Sequence, residues 1–320
     1  MVREAMKKVF ITGISGFAGS HLAEYLATQE TYDVYGTVFG DGYRVPLIPR
    51  DHFISLDLTD REQTIAVVKK IQPEWIFHLA ALSSPALSFQ DPVKTMTNNI
   101  EAELNLFLAA LEVAGLERIL VVGSAEEYGK VAKNDLPINE TVALNPLSPY
   151  AVSKIAQDFL GLQYFLSRRL PVIRVRPFNH TGERQTPVFV VPAFAKQIAE
   201  IEAQKIEPVM RVGNLTASRD FTDVKDMVRA YVEAMEQGEL GDVYNLGSGR
   251  GVAIQEVLNS LLVMSSISIE IKQDPQRLVP ADVPELVCDA TKFIRLTGWK
   301  TEIPFQDTLK RVLNYWRQQV

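Results

Sequence analysis

The sequence predicts an α/β fold: a doubly wound parallel sheet with a smaller α/β part after it. Three observations carry this. Short apolar runs alternate with longer stretches of helical spacing through the first half of the chain. A cluster of glycines directly follows the first apolar run. The 320 residues are 47% hydrophobic and 22% charged, the balance of a soluble globular chain, and their number suits about two domains.

"KKVFIT" (7–12) predicts the first strand and "FAGSHLAEYLATQ" (17–29) the first helix. "YDVYGTVF" (32–39) and "HFISLDL" (52–58) are the next strands. "REQTIAVVKKIQ" (61–72) has helical spacing, and "EWIFHLA" (74–80) is again a strand. A long helix near 93–114, a strand "RILVVGS" (118–124), a helix over about 149–169 and a strand "PVIRVRPF" (171–178) complete the series. Strands separated by helices of this length pair in parallel, with helices on both faces and right-handed crossovers. The second half is less regular. It offers strands at 208–213, 242–248 and 266–271, and helices near 190–204, 224–237, 254–264 and 305–318. Pro275, Pro280 and Pro284 mark an extended stretch. The expected division is a dinucleotide-binding part, 1–176 with about 218–241, and a substrate part, 177–217 with 242–320, with a cleft between them.

Several function classes are disfavoured. The net charge is −6 and no run of Lys and Arg stands out, which argues against a nucleic-acid surface. No stretch reaches the roughly 18 apolar residues of a membrane span. The opening "MVREAMKKVFITGISG" turns into glycines too early for a signal segment, so a cytoplasmic location is expected. Cys288 is the single cysteine; it has no internal disulfide partner and reads as a buried, inert thiol. No metal site is expected.

"TGISGFAG" places Gly13, Gly16 and Gly19 between a strand and a helix, the context of a Rossmann-type dinucleotide site. Gly13 permits a sharp turn, Gly16 a close approach to a pyrophosphate and Gly19 tight packing of the helix. The helix N-terminus, with Phe17 and Ala18, then faces the phosphates with free N–H groups. Asp57 and Leu58 end the third strand, where the carboxylate could meet an adenine amino group; Asp57 reads equally as a cap for the next helix. Leu79, Ala80 and Ala81 in "HLAAL" (78–82) are small enough for backbone to approach a cofactor, while His78 reads as a satisfied core residue. The ribose-reading position is open. Thr37, Val38 and Phe39 carry no charge, and Asp41 and Arg44 favour opposite cofactors, so NADH and NADPH both remain.

"SPYAVSK" (148–154) sets Tyr150 and Lys154 one above the other on a helix. The ammonium and a nicotinamide cation would both favour the phenolate, and a tyrosine so tuned can protonate an alkoxide as hydride reaches a carbonyl. Ser124, ending "VVGS", is placed to hold the carbonyl oxygen.

Taken together, "TGISGFAG", "HLAA", "GSAEEYG", "SPYAVSK", "RPFNHTG" and "RDFTDV" stand in the order of the extended short-chain dehydrogenase/reductase family, which the chain resembles along its full length. "FNHTG" (178–182) and "VGNLTASRDFTDV" (212–224) resemble the members that act on GDP-mannose-derived sugars. The resemblance implies Ser124, Tyr150 and Lys154 as the catalytic trio, and the three glycines as the pyrophosphate loop. On the substrate side it implies Ser83, Glu126, Asn179, Arg219 and Arg277. Arg219 would hold the sugar nucleotide's diphosphate, as a guanidinium suits; its alternative is an ion pair with Asp220 or Asp223. Near Arg277, Val279 stands where relatives often carry a second arginine. A homodimer through a four-helix bundle of the helices near 93–114 and 149–169 is also implied, and both carry more apolar residues than one buried face uses.

Two activities within the family are compatible with the Tyr–Lys pair. One is reduction of the C4 ketone of GDP-4-keto-6-deoxy-D-mannose to GDP-D-rhamnose. The other is 4,6-dehydration of GDP-mannose, or the chemistry of another sugar-nucleotide epimerase or dehydratase. A dehydratase needs an extra acid and an extra base. Related dehydratases carry Thr, then Ser or Asp, then Glu where this chain has Ser124, Ala125 and Glu126. Ala125 cannot donate a proton or a hydrogen bond. Phe17–Ala18 stands where GDP-mannose dehydratases tend to have Gln-Asp. Reduction is the favoured expectation, with Glu126 a structural or substrate-positioning residue. A non-catalytic dinucleotide sensor is the reading from another class, but such proteins typically lack the tyrosine or lysine.

Overall fold

The computed structural model describes residues 6–40, 45–277 and 283–320. Its strands are β1 (Lys7–Thr12), β2 (Tyr32–Val38), β3 (Phe53–Ser55), β4 (Trp75–His78), β5 (Arg118–Val122), β6 (Val172–Pro177), β7 (Asn179–Thr181), β8 (Val209–Val212), β9 (Ser218–Asp223), β10 (Val243–Leu246), β11 (Gly251–Ala253), β12 (Glu270–Gln273) and β13 (Glu285–Leu286). The helices are α1 (Phe17–Ala27), α2 (Arg61–Ile71), α3 (Pro85–Ser88), α4 (Pro92–Ala110), α5 (Pro149–Arg168), α6 (Val190–Glu202), α7 (Val224–Gln237), α8 (Ile254–Val263), α9 (Thr291–Thr297) and α10 (Phe305–Gln319).

The large sheet is parallel throughout, in the order β3-β2-β1-β4-β5-β6-β10. Alternation along β1 shows why it is doubly wound. Val9 and Ile11 point into a core shared with α1 and α7, while Phe10 points into a second core with Leu106 and Phe107 of α4. Both faces are therefore apolar and both carry helices. Helix starts follow local chemistry: Asp60, Asp91, Ser148 and Asp223 each accept a backbone N–H of the first turn of α2, α4, α5 and α7.

In the second part, β9 pairs with β7, β11 and β13, and β8 pairs with β12. Helices α6, α8 and α10 enclose a separate core built on Ile198, Leu258, Leu261, Leu309 and Leu313. The structure differs from the sequence-derived division in two respects, the first being that β9 lies inside 218–241 yet pairs with β7, β11 and β13 of the second part. β10 lies inside 242–320 yet extends the large sheet by pairing with β6, and Phe293 of α9 and Trp299 pack into the first core. The expected strand at 266–271 begins instead at Glu270. β9 escaped detection because "SRDFTD" has no apolar alternation; its carboxylates are buried by specific partners instead. Cys288 is buried, as expected. Among the described residues no helix is long and apolar enough to cross a membrane. Asp41, Arg44 and Val279 lie outside the described residues.

Candidate active site

Strand order reverses between β1 and β4, and the crevice at such a switch point is where α/β sheets bind ligands. Gly13 turns there with φ +71°, and a Cβ on it would come within 3.1 Å of the Ala80 Cα. Gly19 faces the loop rather than the sheet: its Cβ would stand 2.1 Å from the Gly13 carbonyl oxygen. The Gly16 N–H donates to that same oxygen at 2.9 Å, which closes the turn. Gly16 is also the N-cap of α1, with no side-chain cap and no acidic residue in the first turn. An 11-residue helix thus begins with its N–H groups uncapped by any side chain beside the crevice, which fits an anionic pyrophosphate.

The crevice opens into a cavity of about 410 Å³. One wall is the glycine loop with Phe17 and Ala18, then Leu79, Ala80, Ala81 and Ser83. The floor holds Ser124, Glu126, Tyr150 and Lys154. Asn179 closes the other side. Thr12 sets the edge of the first wall, since its Oγ1 accepts the N–H groups of Leu79 and Ala80 at 3.1 Å.

α5 delivers the pair. Ser148 accepts the Ala151 N–H at 3.1 Å and Pro149 occupies the first turn, so the helix starts just before Tyr150. Tyr150 and Lys154 are both buried, and the Lys154 Nζ donates to the Val122 carbonyl at 2.8 Å. Ser124 lies beside the Tyr150 hydroxyl and favours its ionised form. Ser124 is fixed in turn: its N–H donates to Glu127 Oε1 at 2.7 Å, and its Oγ accepts the Glu126 N–H at 3.2 Å. Burial pushes the Tyr150 phenol above its ordinary range, and the Glu126 and Glu127 carboxylates add to this. Burial pushes Lys154 down as well. The site therefore presents a phenol, the proton-donating form.

Other expected residues stand apart from this cavity. Asp57 is exposed, and its Oδ1 accepts the Thr59 N–H and hydroxyl at 2.9 and 2.7 Å. The cap of α2 is Asp60, not Asp57. Leu58 is buried beneath the loop. Arg219 donates from Nη1 to the Ser218 and Val283 carbonyls at 2.9 and 2.7 Å. Asp220 accepts the Ser248, Gly249 and Cys288 N–H groups, and Asp223 pairs with Arg311. Arg277 lies 3.7 Å from Asp274 and is half exposed. None of these four expected site residues, Asp57, Leu58, Arg219 or Arg277, lines the cavity.

Sequence reasoning missed other parts of the lining, among them His180, Gln185, Thr186 and Phe189 beyond Asn179, and Tyr231 from α7. The stretch after Asn179 was the available signal. His180 stacks on Phe17 with centroids 5.8 Å apart, linking the two walls. Also missed was a buried cluster beneath Ser124. Asp158 accepts from Arg174 at 2.6 Å and from Arg176 Nε at 2.9 Å, and Arg176 pairs with Glu127 at 3.0 Å. Two arginines inside the otherwise apolar "VIRVRP" were the signal, because buried guanidiniums need carboxylate partners.

Comparison with known proteins agrees with this geometry. Residues 10–312 match the family model described as GDP-mannose 4,6 dehydratase. The chain is 34% identical to GDP-6-deoxy-D-mannose reductase of Pseudomonas aeruginosa, covering 98% of each. It is 30% identical to GDP-mannose 4,6-dehydratase of Yersinia enterocolitica, covering 94% of this chain and 91% of that one. The structure of RMD from Pseudomonas aeruginosa complexed with NADPH superposes with a TM-score of 0.86 at 32% identity, covering 98% of this chain and all of the other. With the glycine loop at the switch point and the Ser–Tyr–Lys trio in one cavity, the chain belongs to the GDP-mannose 4,6-dehydratase family of extended short-chain dehydrogenases/reductases.

Proposed function

We propose that this protein reduces the C4 ketone of GDP-4-keto-6-deoxy-D-mannose, forming GDP-D-rhamnose, with NADPH or NADH as reductant. The observation that carries the reading is position 125. Ala125 is 3% exposed and lies between Ser124 and Glu126, so position 125, where related dehydratases carry Ser or Asp, supplies no group able to protonate a departing C6 hydroxyl. Ketone reduction needs one proton donor, and Tyr150 is held as a phenol. The similar reductase and the NADPH-bound structure support the same reading.

The uncapped start of α1 and the closely packed glycines fit a dinucleotide's pyrophosphate. When bound, the nicotinamide supplies the hydride. Ser124 and Tyr150 hydrogen-bond the C4 oxygen and orient the ketone. Tyr150 then gives its proton to that oxygen, and Lys154 stabilises the phenolate left behind. Asn179 positions the sugar nucleotide from the opposite wall. Arg219 and Arg277, which stand outside the cavity, would meet its diphosphate from the second part.

The test is stoichiometric. With the 4-keto-6-deoxy sugar nucleotide, one reduced cofactor is consumed per sugar, and GDP-mannose alone gives no ketosugar. Glu126→Gln lowers that reduction only modestly, because no C5 proton must be removed. Ketosugar formed from GDP-mannose without added reductant, and abolished by Glu126→Gln, would instead make this a dehydratase with Glu126 as base.

The assembly is a homodimer through α4 and α5. Their exposed faces carry Val93 at 71%, Phe159 at 52% and Leu166 at 61% exposure, a patch that a partner helix pair would bury. Sedimentation at micromolar concentration should give twice the chain mass; a monomer there would sink the dimer.

A further inference from the structure

Glu103 of α4, Glu127 of the turn after β5 and Asp158 of α5 are all buried in the large-sheet part. Neither oxygen of Glu103 has a hydrogen-bond partner. Glu127, in contrast, is tied at both ends, and one end is the catalytic turn. Its Oε1 accepts the Ser124 N–H at 2.7 Å, and its Oε2 lies 3.0 Å from Arg176 Nε. Gly123 makes the room for this reach: a Cβ there would stand 2.3 Å from Glu127 Oε1.

A carboxyl that turns back to the first N–H of a helical turn forms a capping box, here with Ser124 as the N-cap. A capping carboxyl on the surface keeps its water. Glu127 is 0% exposed, and such burial is costly unless partners offset it. The partners lead to the other half of the site. Arg176 of β6 donates from Nε to Asp158 Oδ2 at 2.9 Å, and its Nη2 meets the same oxygen. Asp158 also accepts Arg174 Nη1 at 2.6 Å. On α5, Asp158 stands about one turn beyond Lys154 and two beyond Tyr150. An unbroken set of contacts therefore runs from the Ser124 turn, through Glu127, Arg176 and Asp158, to the helix that carries Tyr150 and Lys154. The trio comes from two separate elements, and this set ties one to the other. It also leaves Ser124 with a defined task. The Ser124 Oγ accepts the Glu126 N–H at 3.2 Å, so its own hydroxyl proton remains to be donated in the cavity.

We propose that Glu127 is a positioning residue of the reduction: it holds the Ser124 turn in register with Tyr150, so that both hydroxyls reach one ketone oxygen. The proposal rests on the reductase reading, in which Ser124 and Tyr150 meet at the C4 oxygen. What it asks of Glu127 is an acceptor at the right reach. Burial, with Asp158 beside it, pushes Glu127 up to about 8. Oε1 accepts the Ser124 N–H as an acid or as a carboxylate.

Two variants separate reach from charge. Glu127→Asp keeps the acid but falls one methylene short of Ser124. Its kcat with the ketosugar should drop about tenfold, within the range of a small misplacement at a reacting centre. KM and cofactor affinity should hold within about twofold, since Glu127 does not line the cavity. Glu127→Gln keeps an acceptor at full reach without the acid, and should recover at least half of the lost kcat. In a Ser124→Ala background, Glu127→Asp should cost less than about twofold, because its effect passes through Ser124. A residue that only stabilised the fold would cost the same in both backgrounds. A readout free of turnover is hydrogen exchange at the Ser124 amide, followed by NMR. Exchange should be slow in the unaltered protein and in Glu127→Gln, and at least about tenfold faster in Glu127→Asp. Full kcat in Glu127→Asp, an equal loss in both backgrounds, or an amide that exchanges alike in all three proteins overturns the proposal. If Glu127→Asp does not fold, Glu127→Met takes its place in the same cycle, filling the space without an acceptor oxygen, with the same losses expected. If the unaltered protein leaves the ketosugar unreduced, or Ser124→Ala keeps full turnover, the reductase reading falls and the catalytic part of the proposal with it. The amide comparison stands or falls separately.

Discussion

The two walls of the cavity are built by different means. The nucleotide wall is backbone: Gly13 packed so that a Cβ on it would come within 3.1 Å of the Ala80 Cα, a closed turn, and a helix start left uncapped. The proposed substrate wall is side chain: His180 on β7, Gln185 and Thr186 on the segment after it, and beyond them Arg219, Arg277 and Asp220 each engaged with local partners. A backbone wall is set when the sheet forms. A side-chain wall can exchange partners when a ligand arrives. The first suits a cofactor common to many relatives, the second a substrate that differs among them.

That contrast can be broken or sharpened by substitution. The largest effect should fall where the walls meet. Tyr150→Phe keeps the ring and loses the proton, so turnover should drop by about 10²-fold or more while the dinucleotide still binds; steady-state rates and cofactor titration measure both. Next is the backbone wall. Gly19→Ala drives a Cβ to 2.1 Å from a carbonyl oxygen. The loop must shift at a cost of about 1–3 kcal/mol, which should appear as weaker cofactor affinity with little change in substrate KM beyond it. Full cofactor affinity in that variant would show the wall to be pliable. The smallest effect belongs to the side-chain wall. Arg219→Ala should raise the sugar-nucleotide KM by about tenfold, the scale of a hydrogen bond to a charged group, and leave cofactor binding intact. An unchanged KM would mean that Arg219 keeps its carbonyl partners throughout.

The same contrast decided what could be read from the sequence. Gly13, Gly16 and Gly19 were legible because backbone geometry dictates residue type at fixed spacing. Tyr150 and Lys154 were legible because one helix fixes their relation. The partners of Arg219 were not: they depend on β9 lying between β11 and β13, with paired residues up to 67 positions apart. The pairing of β10 with β6 was hidden for the same reason. The burial of Tyr150 and Lys154 was not legible, because adjacency on one helix is visible in sequence while what packs around it is not. Glu103 and Glu127 went unnoticed since a charged residue in a helix or turn ordinarily points to solvent.

Helix α5 has an outcome of its own. From Tyr150 to Gly161 it buries Tyr150, Ala151, Ser153, Lys154, Gln157, Asp158 and Gly161, and its two exposed positions there, Val152 and Phe159, are apolar. Catalysis, the Asp158 cluster and sheet packing claim one side; the proposed partner claims the other. Polar exposed residues return only at Gln163, Ser167 and Arg168. A segment so fully committed has almost no neutral neighbours in sequence space. Saturation mutagenesis should therefore find its first three turns the least tolerant helix in the chain, and its last turn free to drift.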